Sequence, residues 1–353
     1  MKKNMFAAAL AAMLLLCLLM AGCGGSQSPE TTTEQTQEIT SAEETTSREE
    51  STQASTQAPT ESATQETQPV PEGIQTLEDG TWILPDGHAH KPEYPLNETA
   101  VGRAVSRFQY LYDSYLQGTD SKIHVAIIPD KGYYLQDTEV PTMEYAQLFQ
   151  IVQDGMPYAS YIDLTDTLSL DAYYYTDIHW RQEYLWDAAD RICQALGVTS
   201  PQKEQFTETA LQLPFYGMYY DEAAVMGQDT IHLLENSMLN SCTVKHHDTG
   251  RTTKVYDRSK MKSETLYDVF LSGATPLLTI ENPQATTDRE LIVFRDSFGS
   301  SMVPLLLQDY ATVTLVDIRY VASSAIDRFV EFHGQDVLFL YSTHLINNSS
   351  AMK

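Results

Sequence analysis

Two runs of this sequence place residue types that can do covalent chemistry at useful spacings. In Thr176-Asp177-Ile178-His179-Trp180 a carboxylate and an imidazole stand two apart, and in an extended segment such residues point to the same side. A carboxylate on one ring nitrogen fixes the tautomer and leaves the other nitrogen free as a base. The D-x-H spacing alone is weak, because an Asp N-cap beside a surface histidine looks the same. In the second run, Glu290 to Ser301, the apolar strand pattern Leu291-Ile292-Val293-Phe294 passes into the polar turn Arg295-Asp296-Ser297-Phe298 and then a helix start. A serine at that corner is presented at a sheet edge, beside helix-start amides that can hold an oxyanion. The physics is that of the hydrolase nucleophile elbow, although G-x-S-x-G is absent. N-capping by Ser297 or Asp296 is the competing reading. Together the runs supply the serine, histidine and aspartate that acyl transfer needs.

Such residues need elements to position them. Trp82 to Gly87 reads as a short strand and turn. Asn97 to Gln117 reads as a helix, with Val101, Val105, Phe108, Tyr112 and Tyr115 at spacings of three and four and Gly118 to end it. Ile123 to Ile128 is a β-branched strand stopped by Pro129. Thr142 to Val152 fits a crossover helix, Tyr161 to Leu164 a strand, and Trp180 or Arg181 to Leu196 a helix stopped by Gly197, with the D-x-H run at its entrance. From Pro201 to Pro283 the pattern weakens: Gln205 to Leu213 is expected to be helical, and Thr230 to Leu233, Cys242 to Lys245 and Lys254 to Tyr256 form short strands, together an inserted region over 201–283. The closing third alternates strand 290–294, helix 299–307, strand 312–316, helix 322–332 and strand 337–341. This alternation predicts a mainly parallel sheet covered on both faces, with sites beyond the carboxyl ends of its strands. Pro129 to Lys131, Arg295 to Phe298 and Asp317 to Tyr320 then lie near one another.

Lys131 and Arg319 follow strand ends, where either could hold substrate or stabilise charge; ion pairing in an acidic protein is the favoured alternative. Phe215 to Tyr220 is an aromatic cluster that either stacks on sugar rings or packs the insert. His88-Ala89-His90 and His246-His247-Asp248 lack a third ligand at a recognisable spacing, so neither a metal nor a cofactor is expected. With 48 acidic against 22 basic residues, the net charge of -26 argues against a phosphate-binding surface, and no nucleic acid partner is expected.

A smaller part of that charge, and some of the 353 residues, lie ahead of the fold. Lys2 and Lys3 precede an uncharged, mostly apolar run to Gly22, the pattern of an export signal over 1–22. Leu19-Met20-Ala21-Gly22-Cys23 resembles a lipobox, with Met20 where leucine is usual. It implies cleavage before Cys23, lipidation of its thiol and anchorage to the outer face of the cell membrane; an uncleaved N-terminal anchor is the alternative. Of the 45 residues from Ser26 to Val70, 35 are Thr, Ser, Gln or Glu, a composition that cannot bury enough apolar surface to fold. Residues 23–70 are therefore expected to be a disordered tether, spanning about 35 to 40 Å. The tether holds -8 of the net charge and the signal +2, which leaves -20 on residues 71–353, one domain. Cys17 leaves with the signal, and Cys193 and Cys242 remain either as a disulfide or as buried thiols.

Taken together, Tyr175 to Trp180, Val293 to Ser301, Val316-Asp317-Ile318-Arg319-Tyr320 and Asp336 to Ser342 resemble the DHHW family of bacterial exported proteins, which are similar to SGNH hydrolases and to alginate O-acetyltransferases. The likeness runs from about Trp82 to the C-terminus. It implies an SGNH-hydrolase-like three-layer α/β/α fold, with Ser297 as nucleophile, His179 as general base and Asp177 orienting it. Phe298, Arg319, Tyr320, Lys131 and Trp180 become the expected substrate or oxyanion contacts. Asp296-Ser297-Phe298 also looks like the D-S-L core of the GDSL motif, with Arg295 for its glycine. Ile178 stands where the family name has a histidine, which removes a second imidazole but not the base. The implied activity is acyl transfer, above all of acetyl, on a carbohydrate polymer, with a membrane-bound acyl-donor partner in prospect. A plain esterase and a non-catalytic polysaccharide-binding or assembly lipoprotein on the same fold are the competing readings.

Overall fold

The structure is a computed structural model that describes residues 70–353. The export signal, Cys23 and the tether up to residue 69 lie outside the described residues. Among the described residues no helix is long and apolar enough to cross a membrane.

Three two-residue strands open the domain as a small antiparallel sheet: β1 (Gln75–Thr76), β2 (Trp82–Ile83) and β3 (Ala89–His90). Helix α1 (Glu98–Leu111) is capped by Asn97, whose side chain accepts from the Ala100 amide, and runs on into a π-turn over Tyr112–Leu116. β4 (Ile123–Ile128), α2 (Tyr145–Gly155), β5 (Ser160–Ile162) and α3 (Trp186–Leu196) follow. Gly197 ends α3 in the left-handed conformation expected of a helix-stopping glycine.

β6 (Thr207–Ala210) and β7 (His232–Glu235) form a separate antiparallel pair, so the helix expected over 205–213 is a strand. Its residues are mostly exposed, and cross-strand pairing satisfies a backbone that the short apolar pattern left ambiguous. After α4 (Ser237–Ser241) come β8 (Thr243–His246), β9 (Thr252–Thr253) and β10 (Leu277–Glu281). β11 (Arg289–Arg295), α5 (Gly299–Met302), β12 (Tyr310–Val316), β13 (Asp336–Ser342) and α6 (Thr343–Asn347) complete the chain. The helix expected over 322–332 is a 3-10 segment confined to Ser323–Arg328.

The eight-stranded central sheet has the order β5-β4-β13-β11-β12-β10-β8-β9. It is parallel from β5 to β12 and antiparallel from β12 to β9. Region 201–283 is therefore only partly an insertion, because β8, β9 and β10 extend the sheet. Strict alternation sends successive residues of each central strand to opposite faces. Ala126, Leu291, Val293, Leu338 and Leu340 face a core closed by α3 and by buried residues from 201–283. Val125, Ile127, Ile292, Phe294, Val337 and Phe339 face a second core closed by α1, α2 and α6. This is the three-layer α/β/α arrangement, with β4, β11, β12 and β13 ending on one edge.

Candidate active site

At that edge β11 delivers Ser297, two residues past its last residue and two before α5 begins. The turn closes with Gly299 N–H on the Asp296 carbonyl and Ser300 N–H on the Ser297 carbonyl. Asp296 holds the corner from its side chain: Oδ1 accepts from the Phe298 amide at 3.0 Å, and Oδ2 accepts from the amide and hydroxyl of Ser342 at the end of β13. A Cβ on Gly299 would come within 2.9 Å of Arg295 Cβ, so glycine lets the helix start fold over that side chain. Arg295 is fully buried beneath the turn and donates to the Asp296 and Gly273 carbonyls and to Ser300 Oγ and Thr275 Oγ1. Around this turn Ser297 alone stays half-exposed among buried neighbours.

The D-x-H run is the tip of a hairpin rather than the entrance of α3. Tyr173 pairs with Trp180, Tyr174 N–H donates to the His179 carbonyl, and Arg181 N–H to the Ala172 carbonyl. The tip reaches the elbow. His179 Nε2 lies 2.8 Å from Ser297 Oγ, and His179 Nδ1 lies 2.5 Å from Asp177 Oδ1. Burial opposes ionisation of Asp177, but the adjacent His179 ring and the hydrogen bonds from it and from the His179 and Met218 amides outweigh it. Its carboxyl is held below the ordinary carboxylate value. An ionised, acceptor-only Asp177 requires the His179 proton on Nδ1, which leaves Nε2 to accept from the serine hydroxyl. The His179 ring is stacked on Tyr267, with centroids 3.9 Å apart and planes 13° off parallel, and Tyr267 is tied through its hydroxyl to Ser301 Oγ.

The hairpin tip is clamped from two sides. Asp229, buried, accepts from the amides of Tyr175 and Thr176 and from the Thr176 hydroxyl. The loop 215–220 adds Gly217 N–H to Thr176 Oγ1, Met218 N–H to Asp177 Oδ2 and Tyr219 N–H to the Thr176 carbonyl. A Cβ on Gly217 would lie 2.4 Å from the Thr176 carbonyl oxygen, and one on Gly227 would lie 2.2 Å from the Tyr175 ring. Two glycines thus permit the close approach. On the other side Lys131 is buried and donates to the carbonyls of Ala89 and Tyr175. Burial pulls its ammonium down to about 8.

Of the other residues expected at the cleft, Trp180 is fully buried and does not reach it. Its indole donates to the Phe298 carbonyl and to Ser301 Oγ, tying hairpin to elbow. Phe298 packs its ring against His179, and its amide is committed to Asp296, so it is not an oxyanion donor. Arg319 is bound through Nε and Nη2 to Asp317, a pairing that outweighs burial and raises its affinity for the proton. Tyr320 beside it is half-exposed. Asp229 and Tyr267 were not singled out in the sequence. Neither has a telling spacing, since both arrive from the weakly patterned stretch. Among the described residues no group of three or more His, Cys, Asp or Glu side chains could hold a metal. Cys193 and Cys242 are both buried free thiols, which settles that choice against a disulfide.

Residues 161–316 match the DHHW protein family. The resemblance drawn from the motifs holds. The chain is also similar to a solved DHHW family protein from Eubacterium siraeum DSM 15702, with 18% identity and a TM-score of 0.65 over 80% of this chain and 97% of that one. Bacillus cereus PatB1 with a sulfonyl adduct matches with 18% identity and a TM-score of 0.56 over 77% of this chain and 95% of that one. A second structure of PatB1 gives 18% identity and a TM-score of 0.55 over 77% of this chain and 96% of that one. No relative among curated proteins matches the chain. These likenesses show the fold, a three-layer α/β/α domain shared with the solved DHHW family protein and PatB1.

Proposed function

We propose that this DHHW domain is a serine acyl-transfer enzyme of the cell envelope that adds acetyl groups to a carbohydrate polymer or removes them. The reading rests on one observation: Ser297, His179 and Asp177 are joined in series, by contacts of 2.8 and 2.5 Å, at the carboxyl end of a central parallel strand. In this reading His179 takes the Ser297 proton as Oγ attacks the ester carbonyl, and Asp177 stabilises the imidazolium that forms. The Ser297 amide receives the oxyanion, and the alcohol leaves with the proton from His179. A sugar hydroxyl or water then takes the acyl group by the reverse sequence. Cys23, lipidated, anchors the chain at the outer face of the membrane, and the tether gives the domain reach.

The test compares Ser297→Ala with the unaltered chain on p-nitrophenyl acetate and on an acetylated glycan. Loss of turnover on both, with an unchanged far-ultraviolet circular dichroism spectrum, is the expected result. Full turnover by the variant would sink the assignment and favour a binding role on the same fold.

A further inference from the structure

The loop that clamps Asp177 also walls an open groove on its outer side. The groove has a volume of about 630 Å³ and is lined by 210–216, Tyr220, 224 and 226–230, with Thr176 as its link to the hairpin tip. That volume lies within the usual range for a small-molecule site. Its chemistry is unusual for a protein this acidic. Lys and Arg are absent from the lining, and its one charged residue, Asp229, already accepts three hydrogen bonds from Tyr175 and Thr176. What faces solvent is neutral: Gln212, Gln228 and Thr230 are exposed, and Tyr216 and Tyr220 are 37% and 43% exposed with ring centroids 4.4 Å apart. Beyond Tyr220 the rim turns acidic, with Glu222 exposed and Asp221 half-buried.

The geometry points to this groove as a subsite for a neutral glycan segment, the polymer whose acyl groups the domain handles. The inference rests on the acyl-transfer reading for the purpose of the subsite, though not for its binding. Tyrosine rings with exposed faces stack on the apolar face of a pyranose, while amide and hydroxyl side chains pair with its hydroxyls, which donate and accept alike. A uronate or phosphate polymer would find no cation in the groove and would meet the acidic rim and a domain of net charge -20. The cations near the elbow do not alter this. Arg319 is neutralised by Asp317, and Lys131 is buried on the opposite side of the hairpin, bound to two carbonyls. Because Met218 N–H holds Asp177 from the same loop, glycan in the groove would also brace the acid of the triad.

The test measures, by isothermal titration calorimetry, binding of chitotetraose (N-acetylated), cellotetraose, mannotetraose and tetragalacturonate to the full chain carrying Ser297→Ala, which cannot turn substrate over if the acyl-transfer reading holds. At least one neutral tetrasaccharide should bind and tetragalacturonate should not. Adding Tyr216→Ala and Tyr220→Ala should weaken the neutral ligand about tenfold or more, whereas Tyr216→Phe with Tyr220→Phe should retain most of the affinity. Adding Gln228→Lys and Thr230→Lys instead should give measurable tetragalacturonate binding that fades with salt. Binding of none of the neutral sugars, equal binding of the uronate, or indifference to loss of both rings would each overturn the subsite. If Ser297→Ala still cleaved esters while the neutral sugar bound as predicted, the catalytic reading would fail and the subsite would stand. Lost cleavage without sugar binding would remove the subsite and leave the catalytic reading in place.

Discussion

Asp177 is where the contacts that orient the His179 ring converge. It accepts from the His179 ring and amide and from the Met218 amide, and the residues just before it are pinned by Asp229. Asp177→Asn should therefore keep the fold yet lower kcat by about 10³- to 10⁴-fold, because an amide can present its N–H to Nδ1 and impose the wrong tautomer. Steady-state kinetics with a small ester checks this. The same depressed carboxyl affects stability. A group whose folded pKa lies below its unfolded value of 3.8 stabilises the fold above that value and loses the contribution as pH falls through the folded one. Acid titration followed by tryptophan fluorescence should show unfolding below pH 3.8 that is less steep in Asp177→Asn. A second prediction concerns Asp229, which touches no reacting atom. Asp229→Asn should lower kcat more than it raises KM for a small ester, since it loosens the hairpin tip and not the groove mouth. Equal kinetics in the variant would reduce Asp229 to a folding role. That Asp177, His179 and Ser297 could meet was legible in the sequence because two lie in one five-residue run and the third follows a clear apolar strand. Asp229 and Tyr267 were not, because a residue that acts by reaching another segment leaves no mark in local spacing.

Elements differ in legibility for another cause. β4, β11 and β13 were plain in the sequence because strands buried on both faces are mostly apolar runs, and β12 because Val313 and Leu315 alternate with the part-buried Thr312 and Thr314. Stretch 201–283 was not. Its strands are two to five residues long, its helical turns are mostly 3-10, and β10 at Leu277–Glu281 was missed altogether. Pieces this short hold their conformation through tertiary contacts, with local propensity playing little part. Those contacts matter to chemistry, since this stretch supplies Asp229, Tyr267 and the loop over Asp177. Gly227→Ala should displace Tyr175 and with it the hairpin tip, because the added Cβ would sit 2.2 Å from the ring. A stability loss of about 1 to 3 kcal/mol is expected in urea titration, together with a fall in kcat.

At the scale of the whole molecule, the acidic charge and the pair of cysteines take on definite meaning. Burial pushes the Cys193 thiol up to about 12 and Cys242 up to about 11, so neither forms thiolate at neutral pH. Ellman's reagent should find both unreactive in the native domain and both reactive in guanidinium, without prior reduction. Reaction only after reduction would mean a disulfide. The charge of -20 stays on the domain unrelieved at the groove, which turns a general bias against anionic partners into a local one. The central claim is that the Asp177–His179 pair activates Ser297, and trapping the nucleophile tests it most directly. After brief exposure of the intact chain to phenylmethanesulfonyl fluoride, mass spectrometry of its peptides should locate a single sulfonyl adduct on Ser297, formed far more slowly in His179→Ala. An adduct elsewhere, none at all, or undiminished labelling of Ser297 in His179→Ala would contradict the account.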